Sequence, residues 1–246
     1  MSSGKRSAAK MTDFFQAKSK QKRTDGPKNA MAEQWAARLG GCRPIYLTTD
    51  KQSWVLHVEN WMPPSNANEF KGEWDLHPTK RHQLKLYGKV ISEKRWSLMW
   101  GISYHYSGAT NAALPLTAAG PMVQKLVQTV NTLSTELATT PVTYNAVLQN
   151  WYEPQDTISL HADNERKHNP DAPIWSLSWG GTRRFVLRSK TEPSSRTELW
   201  LRSGDLVIMG GTCQQTHKHE VPSVRKTMDP PTSNRINWTI RSFRED

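Results

Sequence analysis

The sequence predicts a mostly β protein with flanking helices, its strands closing into a β-sandwich or jelly roll. Three observations carry that expectation. After Pro141 the chain is a succession of short strand-like segments, 144–151, 157–161, 174–179, 182–187, 198–202, 205–209 and 235–243. Turn-forming pairs separate them, among them Gly180-Gly181, Ser203-Gly204 and Gly210-Gly211. Short strands punctuated in this way build sandwiches and barrels. Before them Met122, Leu126, Val130 and Leu133 recur at helical spacing to about Leu137, an amphipathic helix that packs on a sheet.

The elements follow in order. Residues 1–30 scatter Lys5, Arg6, Lys10, Lys18, Lys20, Lys22, Arg23 and Lys28 among Ser, Ala, Gln and Gly, a composition with little to bury that reads as disorder. From about Met31 the chain becomes globular. Residues 33–39 form a short helical run stopped by Gly40-Gly41, and 54–58 read as a strand. Pro63-Pro64 opens a helix to about Trp74, because a proline's missing N–H matters least in a first turn. Residues 76–100 mix Lys80, Arg81, Lys85, Lys89, Lys94 and Arg95 with Tyr87, Trp96 and Trp100. Such a stretch suits a solvated face, and equally a surface that holds phosphates and stacks on unpaired bases. The expected division is a basic tail over 1–30, helices and recognition hairpins over 31–143, and the jelly-roll core over 144–246.

Bulk properties narrow the class. A chain of 246 residues, 36% of them hydrophobic, can bury one sizeable core. It contains no apolar run long enough for a membrane span and no secretory leader after Met1. Cys42 and Cys213 stand far apart, which suits a reducing compartment better than a disulfide framework. A net charge of +11 and a pI near 9.7 fit a polyanionic partner, nucleic acid before membrane.

The chemistry begins at His161-Ala162-Asp163. Residues two apart on a strand point to the same side, so an imidazole and a carboxylate can meet at one point. That is two thirds of a 2-His-1-carboxylate triad, which leaves positions on a non-haem Fe(II) open. His217 and His219 are both available as the third ligand, and strand parity does not choose between them. In the last strand Arg235, Asn237, Thr239 and Arg241 share one face while Ile236, Trp238 and Ile240 share the other. Polar groups facing into a sandwich need partners there, and two guanidiniums call for a dianion. A dicarboxylate such as 2-oxoglutarate, which chelates Fe(II) through its keto-acid end, meets that need. The other reading is an outward-facing, salt-bridged edge strand.

At these residues the chain resembles the AlkB family of Fe(II)/2-oxoglutarate dioxygenases. The likeness covers roughly 84–243 and rests on Asn150-Trp151-Tyr152, His161-Ala162-Asp163, the segment from Trp175 to Gly180, His219-Glu220-Val221-Pro222 and the terminal Arg235-x-Asn237-x-Thr239-x-Arg241. It implies a double-stranded β-helix core behind an N-terminal nucleotide-recognition region. It implies Fe(II) on His161, Asp163 and His219, with 2-oxoglutarate on Asn150, Tyr152, Arg235, Thr239 and Arg241 and O₂ as the second co-substrate. Within the family the similarity runs to nuclear DNA-repair homologues that act on duplex DNA. Leu86-Tyr87-Gly88-Lys89 looks like their hairpin, whose aromatic wedges into the base stack. Tyr104 and Tyr106 look like their substrate-side segment. Glu165 matches an acid near the alkylated base, while Asn164 stands where the family usually has another.

The resemblance implies oxidative demethylation. The N-methyl carbon of a base such as 1-methyladenine or 3-methylcytosine is hydroxylated as 2-oxoglutarate goes to succinate and CO₂. The hemiaminal then collapses to formaldehyde and the restored base. Flipping the base into a lined pocket holds the carbon close and excludes water. The alternatives are the same chemistry on RNA or single strands, and a binding module that recognises damage without catalysis. In the tail, Met11, Phe14 and Phe15 resemble the three anchors of a sliding-clamp (PCNA) interaction peptide, with Ala8 where glutamine is usual. The basic clusters at 5–6 and 18–23 resemble a bipartite nuclear localisation signal. The expected protein is a nuclear monomer.

Overall fold

The computed structural model describes residues 28–86, 89–106, 109–137, 142–225 and 229–244. The chain runs α1 (Lys28–Arg38), β1 (Ile45–Tyr46), β2 (Ser53–Val58), α2 (Ala67–Trp74), β3 (Gln83–Leu86), β4 (Lys89–Ser92), β5 (Trp96–Gly101), β6 (Tyr104–Tyr106) and β7 (Ala109–Asn111). It continues through α3 (Pro121–Leu137), β8 (Ala146–Tyr152), β9 (Ile158–His161), β10 (Ile174–Gly180), β11 (Arg183–Ser189), β12 (Arg196–Leu201) and β13 (Leu206–Gly211). The short α4 (Cys213–Thr216), β14 (His217–Val221) and β15 (Arg235–Arg241) close it. Two sheets form the sandwich, a major one in the order β1-β2-β13-β10-β15-β8-β5 and a minor one in the order β12-β11-β14-β9. The major sheet takes β1, β2 and β5 from the segment before residue 143, so both halves of the chain share one sheet.

Alternation along the major strands separates two cores. Trp54 and Leu56 on β2, Trp175, Leu177 and Trp179 on β10, Leu206 and Ile208 on β13, and Ile236, Trp238 and Ile240 on β15 face the helices. Against them pack Ala32, Trp35 and Ala36 of α1 and Met122, Leu126, Val130 and Leu133 of α3. Ile174, Val207 and Met209 face the other way and meet Phe185, Leu187, Leu199, Leu201 and Val221 of the minor sheet. Each Val, Leu, Ile, Phe or Met side chain so buried contributes about 1.5–3 kcal/mol by area. The major sheet is therefore covered on both faces. Gly210 has a local reason to lack a side chain: a Cβ there would stand 2.0 Å from Cζ2 of Trp54, whose ring lies across β13.

The helices differ from expectation at their starts. The first begins at Lys28, five residues before the expected 33, and stops where expected: Gly40 and Gly41 take φ of 92° and 77°, and the Gly41 N–H closes on the Ala36 carbonyl at 2.8 Å. The second does not start at Pro63-Pro64. Its cap is Asn66, whose side chain accepts the Glu69 N–H at 3.0 Å, while the Glu69 carboxylate accepts the Ser65 N–H. This reciprocal capping satisfies donors that a proline pair cannot.

Candidate metal centre and co-substrate cavity

The site lies between the sheets. Strands β9 and β14 are antiparallel neighbours with His161 directly opposite His219, so two imidazoles from different strands stand 4.3 Å apart between ring centroids. Asp163 lies just beyond the end of β9, so its convergence does not come from strand parity. Its backbone N–H instead donates to Oε1 of Gln214 on α4 at 2.9 Å, which turns the chain inward. Nε2 of His161 and Oδ1 of Asp163 are 3.5 Å apart, and Nε2 of His219 and Oδ2 of Asp163 are 3.8 Å apart. The three ligand atoms lie within 4.8 Å of one another.

The protonation states suit a metal. The Ser159 carbonyl, an acceptor only, is 2.8 Å from Nδ1 of His161, so Nδ1 carries the proton and Nε2 keeps its lone pair. Burial, reinforced by His161, pushes His219 down to about 3, which keeps that imidazole neutral. Burial alone would raise Asp163, but Arg241 first, with His161 and His219 beside it, holds its carboxyl well below the usual range. Arg241 binds Oδ1 at 2.8 Å, and Oδ2 is buried with no hydrogen-bond partner. Two imidazoles, one carboxylate and an orphaned carboxylate oxygen form a donor set that fits Fe(II). Between His217 and His219 the geometry does choose: Nδ1 of His217 meets Oγ1 of Thr216 at 2.8 Å, and His217 is not in the cluster.

One cavity unites this triad with Asn150 and Tyr152 of β8 and Arg235, Asn237, Thr239 and Arg241 of β15. β15 is central, between β10 and β8, and every residue in it is buried, so it is not an outward-facing edge. Its polar row is held from below. Ser178 accepts from Nη2 of Arg235 at 2.9 Å, and Ser176 accepts from Nδ2 of Asn237 at 2.8 Å. Nε of Arg95 donates to Oδ1 of Asn150 at 2.8 Å, and Glu93 takes the other end of Arg95 at 3.1 Å. The Arg235 guanidinium carbon lies 5.0 Å from the centre of the Tyr152 ring. Ser176, Ser178 and Arg95 are positioning groups that the sequence reading missed. The alternation of Trp175, Leu177 and Trp179 with two serines was the available signal.

Of the residues expected at the substrate, only Lys89, Asn164 and Glu165 have described side chains. Asn164 and Glu165 line a second cavity of about 210 Å³, next to Asp163, with His168, Cys213 and Gln214 among its walls. Burial raises the Glu165 carboxyl. Lys89 is exposed at the start of β4. Tyr87, Gly88, Met11, Phe14 and Phe15 lie outside the described residues, as do the side chains of Tyr104 and Tyr106, whose backbones form β6.

His168 yields a pH prediction. Burial, with Arg241 adding to it against Asp163, pulls its pKa from 6.5 to about 4. The unfolded chain then takes up this proton near 6.5 and the folded one only near 4, so stability is full above 6.5 and declines as pH falls towards 4. Between pH 7 and pH 5 the wild type should lose about 2 kcal/mol more than His168→Gln. Parallel urea unfolding at the two pH values checks this; equal losses remove His168 from the acid response.

Comparison with known proteins adds to this geometry. The family described as the 2OG-Fe(II) oxygenase superfamily matches residues 55–241. The chain is 31% identical to the bovine DNA oxidative demethylase ALKBH2 over 172 residues, which is 65% of this chain and 57% of that protein. It is 33% identical to the mouse alpha-ketoglutarate-dependent dioxygenase alkB homolog 3 over 113 residues, 42% of this chain and 38% of the relative. The tRNA demethylase abh1 of Schizosaccharomyces pombe is 31% identical over 112 residues, 40% of this chain and 36% of the relative. The chain thus spans less than two thirds of the length of the relatives it matches.

Proposed function

We propose, from the premise that this chain belongs to the 2OG-Fe(II) oxygenase superfamily, that it removes N-alkyl groups from DNA bases by oxidation. Fe(II), 2-oxoglutarate and O₂ are the reagents of that superfamily. The observation that carries the proposal is the single cavity that holds both an iron donor set and two buried guanidiniums. His161, Asp163 and His219 hold the metal. Arg241, beside Asp163, takes the keto-acid end of 2-oxoglutarate, and Arg235 with Tyr152 takes the far carboxylate. Asn150 and Thr239 supply neutral polar contacts between them. When bound, iron and 2-oxoglutarate supply the oxidant that hydroxylates an N-methyl carbon, the 2-oxoglutarate leaving as succinate and CO₂. The sandwich walls, Phe185, Ile158 and Val221 among them, exclude water from that chemistry.

The substrate reading rests on the named relatives and on the basic charge of the chain. The paired hairpin β3–β4 brackets Tyr87 and Gly88 and exposes Val90 and Ile91, apolar side chains with no core to enter. A nucleic-acid partner that splays its bases gives such side chains a place. Tyr87→Ala should lower turnover about tenfold or more on a methylated duplex and leave the single strand within about twofold, given a stacking contribution of 1–3 kcal/mol. Equal losses on both substrates would remove the wedge. The RNA reading keeps a place because one relative is a tRNA demethylase. Formaldehyde release over a panel of 1-methyladenine and 3-methylcytosine oligonucleotides, DNA and RNA, decides between them. No release from any member overturns the demethylase reading.

Met11, Phe14 and Phe15 dock the sliding clamp in this proposal, and the basic clusters around them direct the chain to the nucleus. The double substitution Phe14→Ala/Phe15→Ala should abolish clamp pull-down; undiminished binding would remove the tail from that role.

A further inference from the structure

Arg183 lies on β11, the strand of the minor sheet that gives Phe185 to the wall of the co-substrate cavity. On β11 it is two residues before Phe185 and four before Leu187, which pack in the core between the sheets. Alternation puts all three on one face. Arg184 turns the other way and pairs with Asp229, Nε to Oδ2 at 3.0 Å. Arg183 is thus a guanidinium inside the sandwich, 2% exposed. Its Nη2 donates to the carbonyls of Asp156 at 2.7 Å and Pro222 at 2.8 Å. Its Nη1 is buried with no hydrogen-bond partner.

Arg235 on β15 is in a similar state. It is also 2% exposed, and its Nε and Nη1 are buried with no hydrogen-bond partner. Burial lowers Arg183 to about 10, and Arg235 is the next largest cause of that fall. Phe185, on the same face of β11 as Arg183, lines the cavity that Arg235 also lines, so both buried cations belong to one low-dielectric region. The acids that could neutralise them are engaged. Both carboxylate oxygens of Asp156 are taken by Arg81, and those of Asp229 by Arg184 and Arg225. Two desolvated like charges with unused donors persist in a core when an anion completes the site.

We infer that the buried Arg183 cation adds to the positive field in which Arg235 receives the far carboxylate of 2-oxoglutarate. This rests on the assignment of Arg235 to that carboxylate made above. Arg183 is not among the residues that line the cavity, so it is a positioning residue. It acts through the field it adds to Arg235, and it makes the site demand a dianion rather than any 2-oxo acid. Neutral removal of Arg183 should weaken the ligand end that carries the second charge and leave the keto-acid end unaffected.

The test is calorimetric binding to the full chain loaded with Mn(II) in place of Fe(II). Two ligands are compared, 2-oxoglutarate and 2-oxopentanoate, which has the same keto-acid end and lacks the far carboxylate. Arg183→Met, and Arg183→Gln, which keeps an amide donor for the two carbonyls, should weaken 2-oxoglutarate about tenfold and leave 2-oxopentanoate unchanged. Arg183→Lys, which keeps the charge, should recover most of the affinity. In turnover the neutral variants should raise KM for 2-oxoglutarate by the same factor with kcat at saturation retained. Equal weakening of both ligands, or no weakening of 2-oxoglutarate, overturns the inference. Arg235→Met separates the layers. If it loses 2-oxoglutarate while the neutral Arg183 variants do not, Arg183 alone is wrongly assigned. If Arg235→Met also binds normally, the co-substrate orientation itself fails.

Discussion

Asp163→Ala should reduce formaldehyde release to below about a thousandth of the wild-type rate, because it removes the only carboxylate of the metal set. The size of the effect follows from how much converges on one side chain. Its oxygens lie 3.5 Å and 3.8 Å from the two imidazole nitrogens, and Arg241 binds it at 2.8 Å. Alanine removes a ligand and also takes a counter-charge from a buried guanidinium. Breaking a buried pair by deleting one partner costs about 3–5 kcal/mol, so the variant should lose stability as well as metal. Fe(II) affinity and thermal unfolding, measured beside turnover, distinguish the two losses. Asp163→Glu should not restore the rate, since an extra methylene displaces the oxygens in a site held on three sides. Turnover above a tenth of wild type in Asp163→Ala would remove this residue from the metal centre.

Trp175→Ala should be the most destabilising single change on the helical side of the major sheet. Its ring meets Trp35 of α1 edge-on at 4.9 Å and lies 6.1 Å from Trp61, and its Nε1 donates to Oη of Tyr144 at 3.1 Å. The side chain therefore joins a helix, a loop and the sheet in one place. A buried Trp→Ala change costs about 3–5 kcal/mol, a fall of roughly 10 °C in Tm for a chain of this size. Trp200→Ala, on the partly exposed edge strand β12, should stay within a few degrees. A drop below about 3 °C for Trp175→Ala would mean that α1 does not depend on this contact.

The legible parts were those written in a period. The alternation of β15 gave both faces of the strand, and the serines between the tryptophans of β10 are readable in the same way once the inner face is known. The 3.6-residue spacing of Met122, Leu126, Val130 and Leu133 gave α3. Features set by side-chain chemistry in three dimensions were not legible. Asp163 reaches the metal cluster through a Gln214 hydrogen bond from a helix fifty residues on, although the H-x-D spacing suggested a continuous strand. The choice of His219 over His217 depends on its register opposite His161, which no local pattern fixes. Arg183 carried a parity signal with Phe185 and Leu187, but the strand pattern over 182–187 does not by itself say which face is inward.

Every tryptophan except Trp200 belongs to the layer between the major sheet and its helices, either buried in it or packed against it. The metal and co-substrate cavity lies on the other side of the same sheet and contains none. The molecule thus has an optical division of labour. Intrinsic emission reports the docking of the helices, with a red shift when α1 and α3 leave the sheet and water reaches the indoles. It is nearly silent about rearrangements within the sandwich. An unfolding followed by fluorescence and one followed by loss of bound metal watch opposite faces of a single sheet. Their coincidence or separation measures whether that sheet makes the protein one cooperative body.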